Sequence, residues 1–591
     1  MNETSPNLLV SLRDLQVTFG RISEPAVKSF DLDIARGEVV ALVGESGSGK
    51  SVTAKSLMRL IEFSGATIAK GEAWLHDDKG GRTDLFRLRQ NEMQTIRGSR
   101  ISMIFQDPMT SLNPVLTIGF QLREAVLRHR KMPTVEADRI CLEALKQVRM
   151  SAPEQRLKQY PHELSGGMRQ RVMIAMALAL KPDLLIADEP TTALDVTVQA
   201  EILDLLKTIQ RETGMSILFI THDMGVVAEI ADRVVVMLKG ERVETGEVRS
   251  VFEAPSHDYT RTLLAAAPKL GANPDAMPPF QPTADATPVL EVDGLVVRYP
   301  VHKGLLKRIV ANVHAVENVS FKVHRGETLA IVGESGCGKS TTAKALMNLI
   351  EPTSGTIHLL GKNIASLSPL QMMSARADIQ MIFQDPYASL NPRLTVEQII
   401  AEPLDIHRRG DTASRRKEVA ALIERVGLPA AAAKRYPHNF SGGQRQRICI
   451  ARALALRPSV IIADEPVSAL DVSIQAQILG LIEEIQNEFD VGILFISHDM
   501  AVVEKVSDRI AVMHLGEIVE IGPRDAVLRN PRHAYTKRLL DAVPVAHPAL
   551  RKIRQLEART IMSPTRPVGA EVSATQLSPI GDDHFVRIEA A

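Results

Sequence analysis

Two copies of one short stretch decide most of what this chain can fold into. Gly44-Glu45-Ser46-Gly47-Ser48-Gly49-Lys50-Ser51 follows the apolar run Val39-Val40-Ala41-Leu42-Val43. Gly333-Glu334-Ser335-Gly336-Cys337-Gly338-Lys339-Ser340 follows Leu329-Ala330-Ile331-Val332. Both fit G-x-x-x-x-G-K-[ST], a phosphate-binding loop between a buried strand and a helix. The glycines let the backbone curl so that successive N–H groups point at an anion. A helix read from Val52 to Leu60 aims its positive end at the same place. The lysine reaches the terminal phosphates, and the Ser51 hydroxyl is suited to a magnesium ion. A Gly-rich turn that happens to end in Lys-Ser is conceivable for one such match, but the strand, loop and helix in the right order favour a phosphate site. Two, each with the same downstream elements, require two α/β domains built on parallel strands.

Length agrees, since 591 residues are too many for one hydrophobic core. Lys+Arg and Asp+Glu stand at 70 each and there is one Trp. That balance lacks the basic excess and the stacking aromatics of a nucleic-acid binder. The three cysteines, Cys141, Cys337 and Cys449, are isolated. They imply neither a disulfide framework nor a zinc site, and a reducing, cytoplasmic compartment fits. The polar start and the charges Arg13 and Asp14 argue against a secretory leader, and no apolar run is long enough to span a bilayer. The longest, Val172 to Ala187, is broken by Lys181-Pro182-Asp183 and reads as helix, turn and buried strand.

Taken in order, Leu12 to Phe19 alternates and reads as an edge-type strand, and Val27 to Ala35 alternates again. Phe19 is either a core aromatic or a stacking face for adenine, and spacing leaves both open. The strand Ile101 to Phe105 runs into Gln106-Asp107-Pro108, a loop able to reach a nucleotide or a partner. Leu122 to Met150 reads as a helical insert. Ser165-Gly166-Gly167-Met168 precedes a long apolar helix. It is either an anion-binding helix N-terminus or an ordinary serine cap. Leu184-Leu185-Ile186-Ala187 ends in Asp188-Glu189, placing two acids at the tip of a buried strand, where ligands of parallel sheets bind. Asp188 is suited to hold Mg²⁺ through water, and Glu189 to take a proton from an attacking water. His222 ends the next buried strand, Ile217 to Ile220, on the same sheet edge. Val234 to Met237 and Glu241 to Glu244 read as a hairpin around Lys239-Gly240.

The second half repeats the first: Tyr299 for Phe19, then Gln384, Ser441-Gly442-Gly443-Gln444, Asp464-Glu465, Asp471 and His498. From Ser165 onward the offset is a constant 276 residues, whereas the two lysines differ by 289. Insertions and deletions therefore fall between the phosphate loop and the Ser-Gly-Gly segment. The expected domains are 1–270 and 289–547, joined by a Pro/Ala-rich linker at 271–288 and followed by a polar tail at 548–591, expected to be loosely ordered or an accessory flap.

In this order and twice over, these motifs resemble the nucleotide-binding domains of ATP-binding cassette (ABC) proteins across residues 8–545. The resemblance implies two tandem P-loop domains. Each is a RecA-like mixed sheet with an antiparallel β subdomain and a helical subdomain. Two ATPs with Mg²⁺ are sandwiched head to tail between them. One site would join Phe19, Gly44 to Ser51, Gln106, Asp188, Glu189 and His222 with Ser441, Gly442, Gly443 and Gln444. The other would join Tyr299, Gly333 to Ser340, Gln384, Asp464, Glu465 and His498 with Ser165, Gly166, Gly167 and Met168. By the same resemblance Glu189, Glu465, His222, His498, Gln106 and Gln384 are catalytic, and Ser51, Gln106, Asp188, Ser340, Gln384 and Asp464 serve the metal. Asp107 to Pro114, Asp385 to Pro392, Tyr259-Thr260-Arg261 and Tyr535-Thr536-Lys537 are similar to the oligopeptide/dipeptide/nickel branch of importer ATPases. That likeness implies a peptide cargo, glutathione, dipeptides and oligopeptides among the candidates. It also implies two inner-membrane permease subunits, a periplasmic binding protein and a peripheral place on the cytoplasmic face. With no cysteine between Cys141 and Cys337 and none beyond Cys449, no iron–sulfur cluster is expected. The alternative is a soluble tandem-cassette ATPase acting on ribosomes or DNA. Neither its long charged linker nor the paired zinc cysteines of repair enzymes is seen here.

Overall fold

The computed structural model describes residues 7–20, 24–107, 111–192, 194–267, 270–271, 280, 287–303, 308–468, 470–551, 565–570, 576–581 and 583–587. Pro108 to Thr110, most of the 271–288 linker and residues 552–564 lie outside the described residues.

Short runs of Val, Ile, Leu and Ala, too apolar to face water on either side, become the central parallel strands. In the first half Val39–Val43, Leu184–Asp188 and Ser216–Thr221 are buried at every residue. The sheet order is Glu241–Glu247, Arg233–Leu238, Val39–Val43, Ser216–Thr221, Leu184–Asp188, Ile101–Ile104. All neighbours are parallel except the outer hairpin, which turns at Lys239 and Gly240 as its sequence suggests. The second half repeats this order from Ile379–Ile382 to Glu517–Pro523. Each half carries an antiparallel sheet, and a helical layer formed by Ile118–His129 and Thr134–Gln147, or by Val396–Ile406 and Thr412–Arg425. Those helices pack on the ones that follow the Ser-Gly-Gly segments, Gly166–Leu178 and Gly442–Leu454. Among the described residues no helix is long and apolar enough to cross a membrane.

Two expectations change. Leu8–Phe19 is an internal strand, hydrogen-bonded to Val27–Ala35 on one side and Ala66–His76 on the other. Alternation reports that one face is buried, not whether a second partner covers the strand's open edge. The C-terminal tail is also more than a loose flap. Thr565–Pro567 pairs with Arg308–Val323, and His584–Arg587 extends the second sheet beyond Glu517–Pro523, followed by Leu577–Gly581. There His584 Nε2 lies 2.9 Å from Glu520 Oε1, and Glu520 is fully buried.

The halves share their cores. Val196 and Ala200, at the start of the helix Val196–Thr213, belong to the apolar cluster of the second half. Val472, at the start of Val472–Phe489, belongs to a cluster of the first. Head-to-tail packing is therefore part of the hydrophobic arrangement. Phe219, fully buried in a central strand, tests the apolar cluster internal to the first half. Phe219→Ala is expected to cost about 3–5 kcal/mol, read as a lower denaturant midpoint for the first half. A loss below 1 kcal/mol would contradict this packing.

Candidate active site

Each phosphate loop is forced by close approach. At Gly44, φ is +152° and a Cβ would sit 2.2 Å from the Met237 carbonyl oxygen. At Gly49, φ is +103° and a Cβ would sit 2.9 Å from the Ala26 carbonyl oxygen. Gly333 and Gly338 repeat these approaches. The helix Lys50–Leu57 starts directly from the loop. Among the described residues, the amides of Gly47, Gly49, Lys50 and Ser51 bond to no acceptor of the chain, which leaves them for an anion. Lys50 Nζ donates to the carbonyls of Gly44 at 2.6 Å and Glu45 at 2.8 Å. Lys339 makes the same pair to Gly333 and Glu334 at 2.6 and 3.0 Å. Burial lowers the pKa of Lys50, while Glu189, Asp471 and Asp188 favour its charge.

The strand tips bring the acids to the loop. Ser51 Oγ donates to Asp188 Oδ1 at 2.8 Å, and Ser340 Oγ to Asp464 Oδ1 at 3.0 Å. Burial raises the pKa of both aspartates. Glu189 and Glu465 then leave the strand in a left-handed conformation, with φ of 48° and 47°. Such a conformation is costly for a residue with a side chain and gathers at functional sites. Each is held by a backbone bond to the neighbouring strand, Glu189 N to Ile220 O at 3.0 Å and Glu465 N to Ile496 O at 2.9 Å. Gln106 Nε2 donates to Glu189 Oε2 at 2.9 Å, and Gln384 Nε2 to Glu465 Oε2 at 2.8 Å. His222 Nδ1 lies 3.4 Å from Glu189 Oε1, and His498 Nδ1 3.3 Å from Glu465 Oε1. Burial opposes the charge on Glu189. The His222 contact, then Thr192 and Lys50, outweigh it and hold the carboxyl down at about 2. Glu465 is lowered in the same way by His498, Lys339 and Gln384. Burial alone would depress both imidazoles, but their glutamates raise them.

The structure thus brings together the loop, Gln, Asp, Glu and His expected for each half. Ser165 and Ser441 cap the helices that follow, accepting from Met168 N at 3.3 Å and Gln444 N at 3.4 Å. Gly167 and Gly443 lie against Val198 and Ile474 of their own halves. Phe19 ends its strand packed on the first core cluster, and Tyr299 sits exposed in Leu290–Lys303. Neither aromatic makes a described contact with its loop.

Sequence reasoning missed who completes the loop. Asp471 Oδ1 of the second half accepts from Ser46 N of the first at 2.8 Å, and Ser473 Oγ donates to Glu45 Oε1 at 2.8 Å. Reciprocally, Asp195 accepts from Ser335 N, and Thr197 Oγ1 donates to Glu334 Oε1 at 2.7 Å. The signal was present: an Asp two residues before a Ser or Thr, at the same offset in both halves.

Family comparison bears on this arrangement. A model described as ABC transporter matches residues 27–192 and 316–468. The chain belongs to the ABC transporter family. A second model, the oligopeptide/dipeptide transporter C-terminal region, matches residues 243–288 and 519–568. The glutathione import ATP-binding protein GsiA of Pectobacterium atrosepticum is 52% identical, covering 98% of this chain and 96% of its own length. Its counterpart in Escherichia coli K12 is 51% identical, covering 99% of this chain and 97% of its own. The solved post-hydrolysis dimer of the ATP-binding cassette MJ0796, bound to ADP and Pi, is 28% identical with a TM-score of 0.36, and covers 40% of this chain and 98% of that chain.

Two measurements check the geometry. The native cysteines are buried, so an added pair reads cleanly. E45C/S473C is expected to be joined by a short bifunctional maleimide, which speeds migration on a denaturing gel; no cross-link would contradict the head-to-tail contact. The raised imidazoles stabilise the fold fully below the ordinary histidine pKa, and lose that contribution as pH rises past their raised values. The Tm gap between wild type and H222Q/H498Q is therefore expected to be larger at about pH 6 than at about pH 9. A larger gap at the alkaline pH would contradict the pairing.

Proposed function

We propose that the chain hydrolyses ATP at two composite sites and that this work drives import of peptides, with glutathione the first cargo to test. The observation that carries the reading is the constellation found twice: a glutamate gripped by a His and a Gln beside a phosphate loop, with an Asp from the opposite half bonded to that loop. The cassettes, 1–270 and 289–547, are the units that close on one another. Their two loops receive the polyphosphates through backbone amides and Lys50 or Lys339. The Ser-Gly-Gly helix starts, Ser165 and Ser441 with their glycines, each face the phosphates held by the opposite loop. Phe19 and Tyr299 lie on the adenine side.

Ser51 with Asp188, and Ser340 with Asp464, fit a magnesium ion, since a hydroxyl and a carboxylate suit a small hard cation that keeps water and phosphate as its other ligands. Gln106 and Gln384 stand beside these pairs. Bound there, magnesium supplies charge neutralisation on the phosphate oxygens. The chain's own groups do the rest. Glu189 is ionised throughout the working pH range, so it is ready to accept a proton from water. Gln106 fixes one of its oxygens and His222 the other, which keeps the remaining lone pairs aimed. Glu465, Gln384 and His498 act alike in the second site.

The names of the relatives support glutathione as cargo and a membrane importer as the setting. The working partners in this reading are two permease subunits and a periplasmic binding protein. The chain is peripheral on the cytoplasmic face. The Gln106 and Gln384 loops are the route by which hydrolysis reaches the permeases.

The chemistry is tested with E189Q/E465Q, expected to keep ATP bound while ATPase falls about 10²–10⁴-fold, the usual contribution of a general base. Near-normal turnover would contradict it. The cargo is tested by uptake of labelled glutathione against a labelled dipeptide in cells lacking the chain and cells restored with it. Loss and rescue of glutathione uptake alone is the expected result, and loss of dipeptide uptake alone would move the cargo assignment.

A further inference from the structure

The matched C-terminal regions carry a contact that the catalytic reading does not use. The helix Asp258–Ala266 presents Tyr259, whose hydroxyl accepts a hydrogen bond from Glu45 N at 2.9 Å. The helix Ala534–Ala542 presents Tyr535, whose hydroxyl accepts from Glu334 N at the same 2.9 Å. The two contacts span 214 and 201 residues, so each half arrives at the same geometry over a different length of chain.

The bonded amide is the second of the phosphate loop. The next, of Ser46 or Ser335, goes to the Asp of the opposite half. The front amides of the loop are thus held by protein acceptors and that of Ser48 by the Glu45 carbonyl, while among the described residues those of Gly47, Gly49, Lys50 and Ser51 bond to no acceptor of the chain. The carbonyls on either side of the bonded amide, Gly44 and Glu45, are the acceptors of Lys50 Nζ. Fixing that peptide therefore fixes the lysine.

Tyr535 is the more firmly seated of the two: it is 4% exposed, its ring stacks on His514 with centroids 3.9 Å apart, and Arg538 lies over the ring at 5.0 Å, whereas Tyr259 is partly buried against the apolar cluster of its half. The chain beyond each helix crosses to the other half. Gly271 N donates to Glu504 of the second half at 2.8 Å. Arg551 Nε donates to Ala228 O of the first at 2.8 Å, on the helix that follows His222.

We infer that Tyr259 and Tyr535 are positioning residues of the two nucleotide sites, each using its hydroxyl to hold the front of its own phosphate loop in the shape that binds nucleotide. This rests on the reading of the loops as ATP sites. A ring alone fills the same space, so Tyr→Phe removes the bond and keeps the packing. Loss of one hydrogen bond of ordinary strength corresponds to about a 3–10-fold loss of binding.

The test measures binding of a fluorescent ATP analogue, steady-state ATPase and Tm for Y259F, Y535F and the double variant of the full chain. The expected result is a KM for ATP and an analogue Kd raised about 3–10-fold, kcat within about twofold, and Tm lowered by no more than about 2–4 °C, the cost of one hydrogen bond. Unchanged KM and Kd would overturn the inference. So would a change in KM that comes with a fall in Tm beyond that, since that is a packing effect. Wild-type protein runs in the same assay: no ATPase there, or ATPase undiminished in E189Q/E465Q, is the failure of the ATP-site reading, separate from the failure of the tyrosine role.

Discussion

A carboxylate from one half bonded to a backbone amide in the phosphate loop of the other is the contact on which the rest depends. Asp471 on Ser46 N and Asp195 on Ser335 N place each loop under the control of a residue more than a hundred positions away. Its front amides take two acceptors: Tyr259 or Tyr535 of the same half, and the Asp at the start of a helix whose first turn packs into the opposite core. Bonds of this kind contribute about 1 kcal/mol each, or somewhat more when charged. They are too weak to assemble two cassettes by themselves. Assembly rests on the apolar exchange, in which Val196 and Ala200 enter one core and Val472 the other. Burial brings the halves together, and the carboxylates set the register of the loops.

Much of this was legible in the sequence because it is local. Apolar runs ending in acids gave the strand tips, the glycine spacing gave the loops, and the His after a buried strand shared an edge with the Glu. What was hidden depends on distant pairing. Asp195 and Asp471 look like N-caps when read locally, yet neither makes a side-chain cap, and their bonds go across the interface. Leu8–Phe19 alternates like an edge strand, and only the later strand Ala66–His76 makes it internal. The tail strands carry Pro567 and Pro579, residues that argue against strands in general, and they pair at sheet margins where such residues are tolerated. The tyrosines were visible as family endings, but nothing in their neighbourhood pointed to a loop some two hundred residues earlier.

The halves are close copies that differ in chemistry beside the base. Thr192 Oγ1 donates to the Glu189 carboxylate at 2.9 Å, while Ser468 Oγ donates to the backbone carbonyl of Glu465 at 3.2 Å. Glu189 therefore gains a third side-chain partner on its charge, consistent with its strongly lowered pKa. Both sites keep the same Gln and His contacts, so the difference tunes the base without removing it.

The central claim is that each site is completed by the opposite half. It is tested most directly by vanadate trapping and photocleavage of K339A, in which only the loop at Gly44 to Ser51 holds nucleotide. The account predicts backbone cuts at that loop and at Ser441, in the second half. A cut near Ser165, in the same half as the loop, would contradict it.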